Sequence, residues 1–305
     1  MENATSPWRQ AVPYDAVVVG AGPAGLTAAT YLGRFRRRVL VLDGGEPRAN
    51  WIPESHNTPG FPEGVGGPAL LARLRLQAER HGAEIIGARA DRLVRIKDHF
   101  EIALEQPAAP VRARFVLLAT GVIDRKPPIE GVDEAIRRAL VRICPICDAY
   151  EAIDKRIAVL GDGPLGAREA LFLKTYSTRV TLLHLGRLGE QVDTERLAAN
   201  GVEVLPTMAR DITLGDTVRT VCGGRTHEFD CLYLALGCEM QSRLAVSWGA
   251  AHDGDGNLIV DRHQQTSIDG LYAAGDVVRG LNQIAVAASE AAIATADIHR
   301  RLRGA

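Results

Sequence analysis

Two glycine-rich segments, about 140 residues apart, constrain the fold of this chain more than any other feature. The first, GAGPAG at Gly20 to Gly25, follows the apolar run Tyr14 to Val19. The second, GDGPLG at Gly161 to Gly166, follows a similar run, Arg156 to Leu160. Apolar, β-branched runs that end at glycine are typical of buried parallel strands. The chain therefore begins the same strand-and-turn pattern twice.

The residues after each glycine segment continue the pattern into a helix and a second strand. We predict helices over Ala24 to Leu32 and Ala167 to Lys174, followed by strands over Val39 to Asp43 and Val180 to His184. Further strands and a final helix are predicted at Arg114 to Ala119, Asp230 to Leu236, Leu271 to Val277 and Asn282 to Arg301. Alternation of strands and helices indicates an α/β fold with parallel sheets.

At 305 residues the chain is long enough for two domains of ordinary size. We expect two Rossmann-like dinucleotide-binding domains, the second inserted into the first. Residues 1–122 and 241–305 would form the first domain, and residues 123–240 the insert. Between Pro47 and Pro68 the chain is rich in Pro and Gly. Long loops in compact domains are usually functional, so we expect this one to lie on a cofactor.

The first glycine segment has the spacing of a dinucleotide fingerprint. Gly20 permits the tight turn, Gly22 lets the backbone approach a pyrophosphate, and Gly25 allows the helix to pack closely on the strand. The N-terminus of the helix supplies unpaired N–H groups and a positive dipole end for the phosphates. Asp43 closes the next strand, where an acidic residue would bond a ribose hydroxyl. The motif alone does not distinguish FAD from NAD.

Two cysteines, Cys144 and Cys147, form a CxxC motif followed by Asp148. A structural zinc site would need about four ligands, and no second CxxC or histidine pair is present to complete one. Free cysteines are also common in protein cores. The adjacent carboxyl group favours redox chemistry, because it can move a proton to or from a thiolate. Three other cysteines lack such partners and are expected to be structural: Cys222, Cys231 and Cys238.

Composition excludes several classes of function. The 36 basic and 37 acidic residues nearly cancel, so nothing indicates a nucleic-acid partner. We find no signal peptide and no uninterrupted apolar segment of membrane-spanning length. Few cysteines in a chain of this length favour a cytoplasmic location. The acidic loop at Asp253 lacks the spacing of a calcium site, so no metal is expected.

These motifs resemble the low-molecular-weight thioredoxin reductases, a family of FAD-dependent disulfide oxidoreductases, over essentially the whole chain. The first glycine segment, including Pro23 and Ala24, is similar to the family's FAD pyrophosphate loop. The sequence CPICD is similar to the family's redox centre in the inserted domain. The resemblance implies further FAD contacts at Asn57, Thr120, Gly121, Gly275, Asp276, Gln283, Ile284 and Ala285.

The resemblance also implies a function. Electrons would pass between FAD and the Cys144–Cys147 pair, with Cys147 facing the flavin, and then to a disulfide partner such as thioredoxin. Asp148 would donate and accept the proton. The family further implies a homodimer and rotation of the inserted domain between two poses.

The second glycine segment departs from the family. Its glycines Gly161, Gly163 and Gly166 are retained, but Asp162 places a negative charge where a pyrophosphate is expected. The paired arginines that clamp the 2′-phosphate of NADPH are absent, and Arg187 is the basic residue that follows the strand. These four nucleotide-binding candidates therefore leave the donor open between NADPH, NADH and another electron carrier.

Two alternatives to a thioredoxin-type reductase remain. Pro145 makes the motif CPxC, which resembles the related dithiol oxidases that close disulfides in small molecules, although Asp148 matches the reductases. Such an oxidase would move electrons from a dithiol substrate to the flavin and on to an acceptor such as oxygen. A redox sensor or docking scaffold that binds flavin without rapid turnover is the non-enzymatic alternative.

Overall fold

The computed structural model describes residues 12–106, 109–185 and 192–304, and contacts within it group the chain into two compact units. The first unit comprises the chain up to Asn50, Gly67–Ile123 and the chain from Met240 onward, and the second comprises Trp51–Gly66 and Asp124–Glu239.

The strands are β1 (Tyr14–Val19), β2 (Val39–Asp43), β3 (Glu84–Gly87), β4 (Ala90–Ile96), β5 (His99–Leu104), β6 (Val111–Leu118), β7 (Val122–Asp124), β8 (Val141–Arg142), β9 (Ile157–Gly161), β10 (Val180–Leu185), β11 (Val202–Thr207), β12 (Ile212–Leu214), β13 (Val218–Cys222), β14 (Arg225–Phe229), β15 (Cys231–Ala235), β16 (Cys238–Met240) and β17 (Leu271–Ala273). The α-helices are α1 (Pro23–Arg34), α2 (Gly67–Arg80), α3 (Val132–Arg137), α4 (Pro145–Asp148), α5 (Gly163–Leu173), α6 (Thr194–Ala199), α7 (Arg243–Val246) and α8 (Ile284–Leu302).

The first unit is built on a seven-stranded sheet in the order β3-β2-β1-β6-β5-β4, with β17 beside the end of β6. Strands β3, β2, β1, β6 and β17 run parallel, whereas β4 and β5 form an antiparallel hairpin. The first residues of β6 pair with β5, and its last residues, Val116–Leu118, pair with β17. The carboxyl ends of β1, β2, β6 and β17 therefore meet at one edge of the sheet.

Apolar burial on both faces explains why β1 is a central parallel strand. Val17 and Val18 point to opposite faces, and neither has any exposed surface. Helices α1 and α8 pack against each other beside the sheet. Ala291 and Ala294 of α8 are completely buried, and their small side chains let the two helices approach closely.

The second unit repeats this architecture with a five-stranded parallel sheet in the order β11-β10-β9-β15-β8. An antiparallel three-stranded sheet, β12-β13-β14, belongs to the same unit. The core against the five-stranded sheet includes Ile157, Leu182 and Tyr233, all fully buried. The two segments that connect the units, β7 and β16, pair with each other as a two-stranded sheet.

The predicted fold class, two Rossmann-like domains with the second inserted into the first, is confirmed. One segment differs from the predicted boundaries, because Trp51–Gly66 groups with the second unit instead of the first. Trp51 packs against an apolar core cluster of the second unit, and its ring also contacts two cations of that unit. The Nζ atom of Lys126 lies 3.3 Å from the centre of the Trp51 ring, and the Cζ atom of Arg137 lies 5.2 Å from it.

The close packing of α1 on the end of α2 allows a test of the fold. A Cβ atom at Gly33 would overlap the backbone carbonyl of His81. Alanine is favoured over glycine in a helix by about 1 kcal/mol, but forcing extra atoms into a packed contact costs roughly 1–3 kcal/mol or more. We expect Gly33→Ala to lower the free energy of unfolding by about 1 kcal/mol, measured by urea denaturation.

The matched control is Gly254→Ala, since a Cβ there would meet nothing within 4 Å. Its free energy of unfolding should lie within about 0.5 kcal/mol of the wild-type value. A Gly33→Ala variant as stable as the wild type would contradict the packing described for α1.

Candidate functional site

The cysteine pair lies at the carboxyl end of β8, an edge strand of the second sheet. Cys144 caps the single-turn helix α4, and Pro145 occupies the first helical position, where its fixed φ angle favours the turn. The N–H of Cys147 donates to the carbonyl of Cys144 at 3.0 Å. The two Cα atoms are 5.3 Å apart and the thiols form a disulfide. Local helix geometry thus holds the pair at disulfide distance.

Asp148, the last residue of α4, forms a buried ion pair with Arg142, the last residue of β8. The Nη1 atom of Arg142 lies 3.0 Å from Oδ2 of Asp148 and also donates to the Asp148 carbonyl at 3.2 Å. Burial raises the pKa of Asp148 above its usual value, and the Arg142 cation opposes that rise. The carboxyl group is therefore easier to protonate than an exposed aspartate.

Tyr233 of β15 completes the surroundings of Asp148. Its hydroxyl donates to the Asp148 carbonyl at 3.1 Å, and its ring centre lies 6.0 Å from Cζ of Arg142. Cys231, on the same strand, is buried, and burial raises its pKa to about 11. This thiol stays protonated at neutral pH, which fits the structural role predicted for it.

The remaining cysteines are not part of the disulfide. They are Cys222, Cys231 and Cys238. Across residues 12–106, 109–185 and 192–304, no group of three or more His, Cys, Asp or Glu side chains is arranged to hold a metal ion.

The first fingerprint lies at the carboxyl edge of the first sheet, and packing explains two of its glycines. Gly20 has a φ of +112°, and a Cβ atom there would overlap the carbonyl of Ala119. A Cβ at Gly25 would overlap the carbonyl of Gly20. These two positions need glycine so that the strand, the turn and α1 can fit together.

Gly22 needs a different explanation. Its φ of −77° suits any residue, and a Cβ there would meet only Cβ of Pro47, at an ordinary 3.9 Å. Pro23 and Ala24 begin α1, whose first turn contains no acidic side chain. The protein itself does not require glycine at this position. The open space above the N-terminus of α1 fits a pyrophosphate group that approaches the backbone closely.

The ends of β6 and β17 bring the remaining predicted residues of this unit to the same edge. The Thr120 hydroxyl donates to the Gln241 carbonyl at 2.6 Å, and Gly121 adopts a φ of +64°. A Cβ at Gly275 would lie 3.1 Å from Cβ of Ala24, so the end of β17 lies directly beside the start of α1. The edge therefore collects residues from both ends of the chain.

Two carboxyl groups at this edge already have basic partners. Asp43 ends β2 and forms an ion pair with Arg75 of α2, while its Oδ1 accepts the N–H of Gly45 at 2.9 Å. Asp276 follows β17 and lies 3.3 Å from Nη1 of Arg48. Both side chains are less than 20% exposed. These partners fix the direction of each carboxylate.

Helix α8 begins shortly after β17 in the sequence and contacts the residues that follow that strand. Gln283 caps the helix, and Ile284 and Ala285 form its first turn, which contains no acidic residue. The buried Glu290 of α8 accepts the N–H of Gly275 at 2.8 Å, which holds the end of β17 against this helix. A second helix N-terminus is thus available to an electron-rich group.

The second fingerprint follows β9, and the protein itself explains each of its glycines. A Cβ at Gly161 would come within 2.9 Å of the Ala235 carbonyl, and one at Gly166 within 3.1 Å of Leu182. Gly163 has a φ of +50°. Asp162 caps α5 with an exposed carboxylate that accepts no capping hydrogen bond. His184, near the end of β10, is buried.

For two of the predicted nucleotide-binding residues, no contact described here places the side chain at the carboxyl edge of either sheet. Asn57 lies in the Trp51–Gly66 segment of the second unit, where the Ser55 hydroxyl donates to its Oδ1 at 3.0 Å. Arg187 lies outside the described residues. The proposed contacts of both with a nucleotide stay predictions.

Sequence reasoning missed the partners of the acidic residues. Arg142 had one visible sign, a basic residue inside an apolar strand two positions before the first cysteine. Tyr233 had none, because its contact depends on the pairing of β15 with β8. Arg48 and Arg75 were also missed, since surface-type residues on a loop and a helix are not distinctive.

Comparison with known proteins agrees with this geometry. A model of the pyridine nucleotide-disulphide oxidoreductase family matches residues 14–291. The chain belongs to this family. The thioredoxin reductase of Mycolicibacterium smegmatis is 31% identical, covering 95% of this chain and 96% of that protein.

Solved structures give the same result. The crystal structure of thioredoxin reductase from Streptococcus pyogenes MGAS5005 has a TM-score of 0.86 at 26% identity, covering 97% of this chain and all of that one. The atypical thioredoxin reductase TRi from Desulfovibrio vulgaris Hildenborough is 32% identical with a TM-score of 0.54, covering 95% and 98%. The chain is a thioredoxin-reductase-like flavoprotein and an FAD-dependent disulfide oxidoreductase, and its Cys144–Cys147 pair fits the redox disulfide.

Glu169 of α5, the helix against which α4 packs, gives a pH-dependent test of the burial beside the redox centre. Burial raises its pKa to about 7, and its Oε2 atom has no hydrogen-bond partner in the described chain. A raised pKa in the folded state means that the ionised carboxylate lowers stability as pH rises through about 7. We expect Glu169→Gln to match the wild type below about pH 4, where the carboxyl group is protonated in both the folded and the unfolded state, and to be more stable above pH 7.

The stability difference at pH 8 should be roughly 1–3 kcal/mol, allowing for solvent screening of a partly exposed group. Urea denaturation across the pH range measures it. Glu195→Gln, at an exposed position on α6, is the control and should show no such pH dependence. A constant difference at all pH values for Glu169→Gln would contradict the burial assigned to its carboxyl group.

Proposed function

We propose that this flavoprotein binds FAD at the carboxyl edge of the first sheet and exchanges electrons with a thioredoxin-like protein through Cys144 and Cys147. The observation that most supports this is the disulfide placed one residue from a buried carboxyl group with a raised pKa. A core cysteine pair would need no ionisable neighbour. Asp162, at the start of α5, favours a second candidate, discussed below.

The FAD site would use the residues collected at the first edge. Gly22 and the N-terminus of α1 would hold the pyrophosphate, and Asp43 would bond the ribose of the adenosine. Asp276 would bond the ribityl chain, and Thr120 and Gly121 would line the site where the chain leaves β6. Gln283, Ile284 and Ala285 would present the N-terminus of α8 to the flavin ring.

The bound flavin supplies the electron pair that opens the disulfide, or accepts the pair released when the disulfide closes. Opening consumes two electrons and two protons for each pair of thiols formed. Asp148 would deliver one of these protons and recover it on closure, because its raised pKa brings it closer to the operating pH. We place Cys147 nearer the flavin, which leaves Cys144 to attack the partner disulfide.

The two candidate functions differ in their electron donor. Family membership favours NADPH as donor, with Gly161, Gly163, Gly166 and Arg187 as its site. The exposed carboxylate of Asp162 opposes a pyrophosphate at the start of α5. This favours, as the second candidate, a dithiol oxidase or a reductase supplied by another carrier. A homodimer and a cytoplasmic location remain predictions; along the described residues no helix is long and apolar enough to span a membrane.

Gly22 provides the test of FAD binding. We expect Gly22→Ala to fold normally, because the new methyl group meets only Pro47, but to bind FAD about tenfold or more weakly. Flavin fluorescence during titration of the apoprotein measures the dissociation constant. Gly45→Ala would strain a φ of +90°, so Gly254→Ala is the better control and should bind FAD normally. Unchanged affinity in Gly22→Ala would contradict the proposed pyrophosphate position.

Anaerobic titration of the holoprotein distinguishes the donors. NADPH, NADH and a small dithiol are added separately while the absorbance of the oxidised flavin is followed. Bleaching by stoichiometric NADPH, with slower bleaching by NADH, is expected for the reductase. Bleaching by the dithiol alone would contradict nicotinamide-driven reduction and support the second candidate.

The Cys144→Ser/Cys147→Ser variant is the control for the dithiol route. It should still be bleached by a nicotinamide donor but lose rapid bleaching by the dithiol. Retention of rapid dithiol bleaching in this variant would contradict the role of the pair.

A further inference from the structure

We propose that Arg142 is a positioning residue of the redox centre: its buried guanidinium keeps Asp148 ionised and orients it, so that one carboxylate oxygen remains available to exchange the thiol proton. This inference rests on the proton role proposed above for Asp148. It assigns a function to a side chain outside the CxxCD motif, on a different secondary-structure element.

The sheet register explains how Arg142 reaches Asp148. Arg142 pairs with Tyr233 across the edge of the sheet, between β8 and β15. Its side chain is only 7% exposed. From this position the Nη1 atom bonds both the side chain and the backbone carbonyl of Asp148. Arg142 therefore holds the end of α4 and its carboxylate with the same atom.

The two carboxylate oxygens of Asp148 have different surroundings. Oδ2 lies 3.0 Å from Arg142, whereas Oδ1 is buried and has no hydrogen-bond partner among the residues that the structure describes. A buried acceptor without a partner is costly and calls for an explanation. Oδ1 can therefore accept a proton. The contact of Arg142 with Oδ2 stabilises the negative charge of the carboxylate.

Charge is the reason that arginine is needed. An isolated buried carboxylate would become protonated instead of staying ionised. The groups facing Asp148 include Glu151, which raises its pKa further, and Tyr233, which lowers it. Cys231 lies on the same strand as Tyr233, and Glu169 lies on α5, which packs against α4. Among the residues that the structure describes, Arg142 is the cation whose ion pair with Asp148 lowers the pKa of the carboxyl group.

The proton balance follows. When the pair closes, two S–H bonds break and one S–S bond forms, and the electron pair passes to the bound flavin. One thiol proton goes to Oδ1 of Asp148, and the other leaves with the reduced flavin or to solvent. Opening reverses each transfer. Without Arg142, the pKa of Asp148 would rise further, so a smaller fraction of Asp148 would be ionised and able to accept the thiol proton.

Infrared spectroscopy of the holoprotein tests the first part of the proposal without measuring turnover. Spectra are recorded across a range of pH in a Glu169→Gln background. This substitution removes the carboxyl group of Glu169, whose band would overlap with that of Asp148. The protonated-carboxyl band that is lost in Asp148→Asn reports the ionisation of Asp148. We expect Arg142→Met to shift the midpoint of this band upward by about one pH unit or more, a tenfold change in proton affinity.

Three further variants keep the test decisive. Arg138→Met removes a positive charge from an exposed position of the same unit and should leave the midpoint unchanged. Arg142→Lys retains a cation and should shift the midpoint less than Arg142→Met does. If Arg142→Met fails to fold, Arg142→Gln, which keeps a polar side chain but lacks the charge, decides: an upward shift with Gln supports the proposal, and an unchanged midpoint overturns it. An unchanged or lower midpoint in folded Arg142→Met also overturns it.

The pH dependence of single-turnover oxidation of the dithiol tests the second part. Loss of the rate at neutral pH should be no larger in the double variant than in Asp148→Asn alone, because Arg142 is proposed to act through that carboxylate. Additive losses would show that Arg142 acts only through packing. If the proposed partner reaction fails but the infrared shift appears, the function is wrong and the role of Arg142 in ionisation stands.

Discussion

The parallel pairing of β17 with β6 is the contact on which the architecture depends. It joins Leu271–Ala273, near the end of the chain, to Val116–Leu118, more than 150 residues earlier by sequence numbering. Parallel strands need a long crossover connection, and here that connection contains Asp124–Glu239, the larger segment of the second unit. The same pairing brings Gly275 beside Ala24, so a nucleotide site can form from both ends of the chain.

A second constraint operates in the inserted unit, where a charge is buried beside the redox pair. Removing Asp148 from water destabilises its ionised form, and the contact with Arg142 offsets part of that cost. Buried ion pairs contribute little to stability compared with apolar replacements of similar size. The pair is therefore better explained by chemistry than by folding, since an apolar edge strand would serve the core equally well.

The sequence predicted the parallel elements well because each is an uninterrupted apolar run. β1 and β2 have the predicted bounds, and β9, β10 and β15 differ from prediction by one residue at one or both ends. The hairpin β4-β5 and the sheet β12-β13-β14 were not predicted, since their strands are half-exposed and polar residues interrupt their apolar ones. Their turns do have a local sequence cause, as in Gly223 and Gly224, which both adopt positive φ.

The candidate site was predictable only where one motif contains the chemistry. Cys144, Cys147 and Asp148 are adjacent in sequence, so their proximity follows from one helical turn. Arg142 reaches Asp148 because β8 ends against β15, and Trp51 contacts Lys126, Arg137 and the apolar core of the second unit. Such contacts depend on three-dimensional packing, which spacing in a single sequence does not reveal.

The two glycine fingerprints show why a motif and a binding site are different findings. Both keep glycine at the same three positions, and in both the first and third are required by close backbone or side-chain approach. The middle positions differ physically. Gly163 has a positive φ that favours glycine without any ligand, whereas Gly22 has an ordinary φ and open space where a side chain would fit. A glycine that folding does not require is better support for a ligand than one that folding explains. By that criterion the first fingerprint supports the proposed binding site, whereas packing alone is enough to explain the glycines of the second.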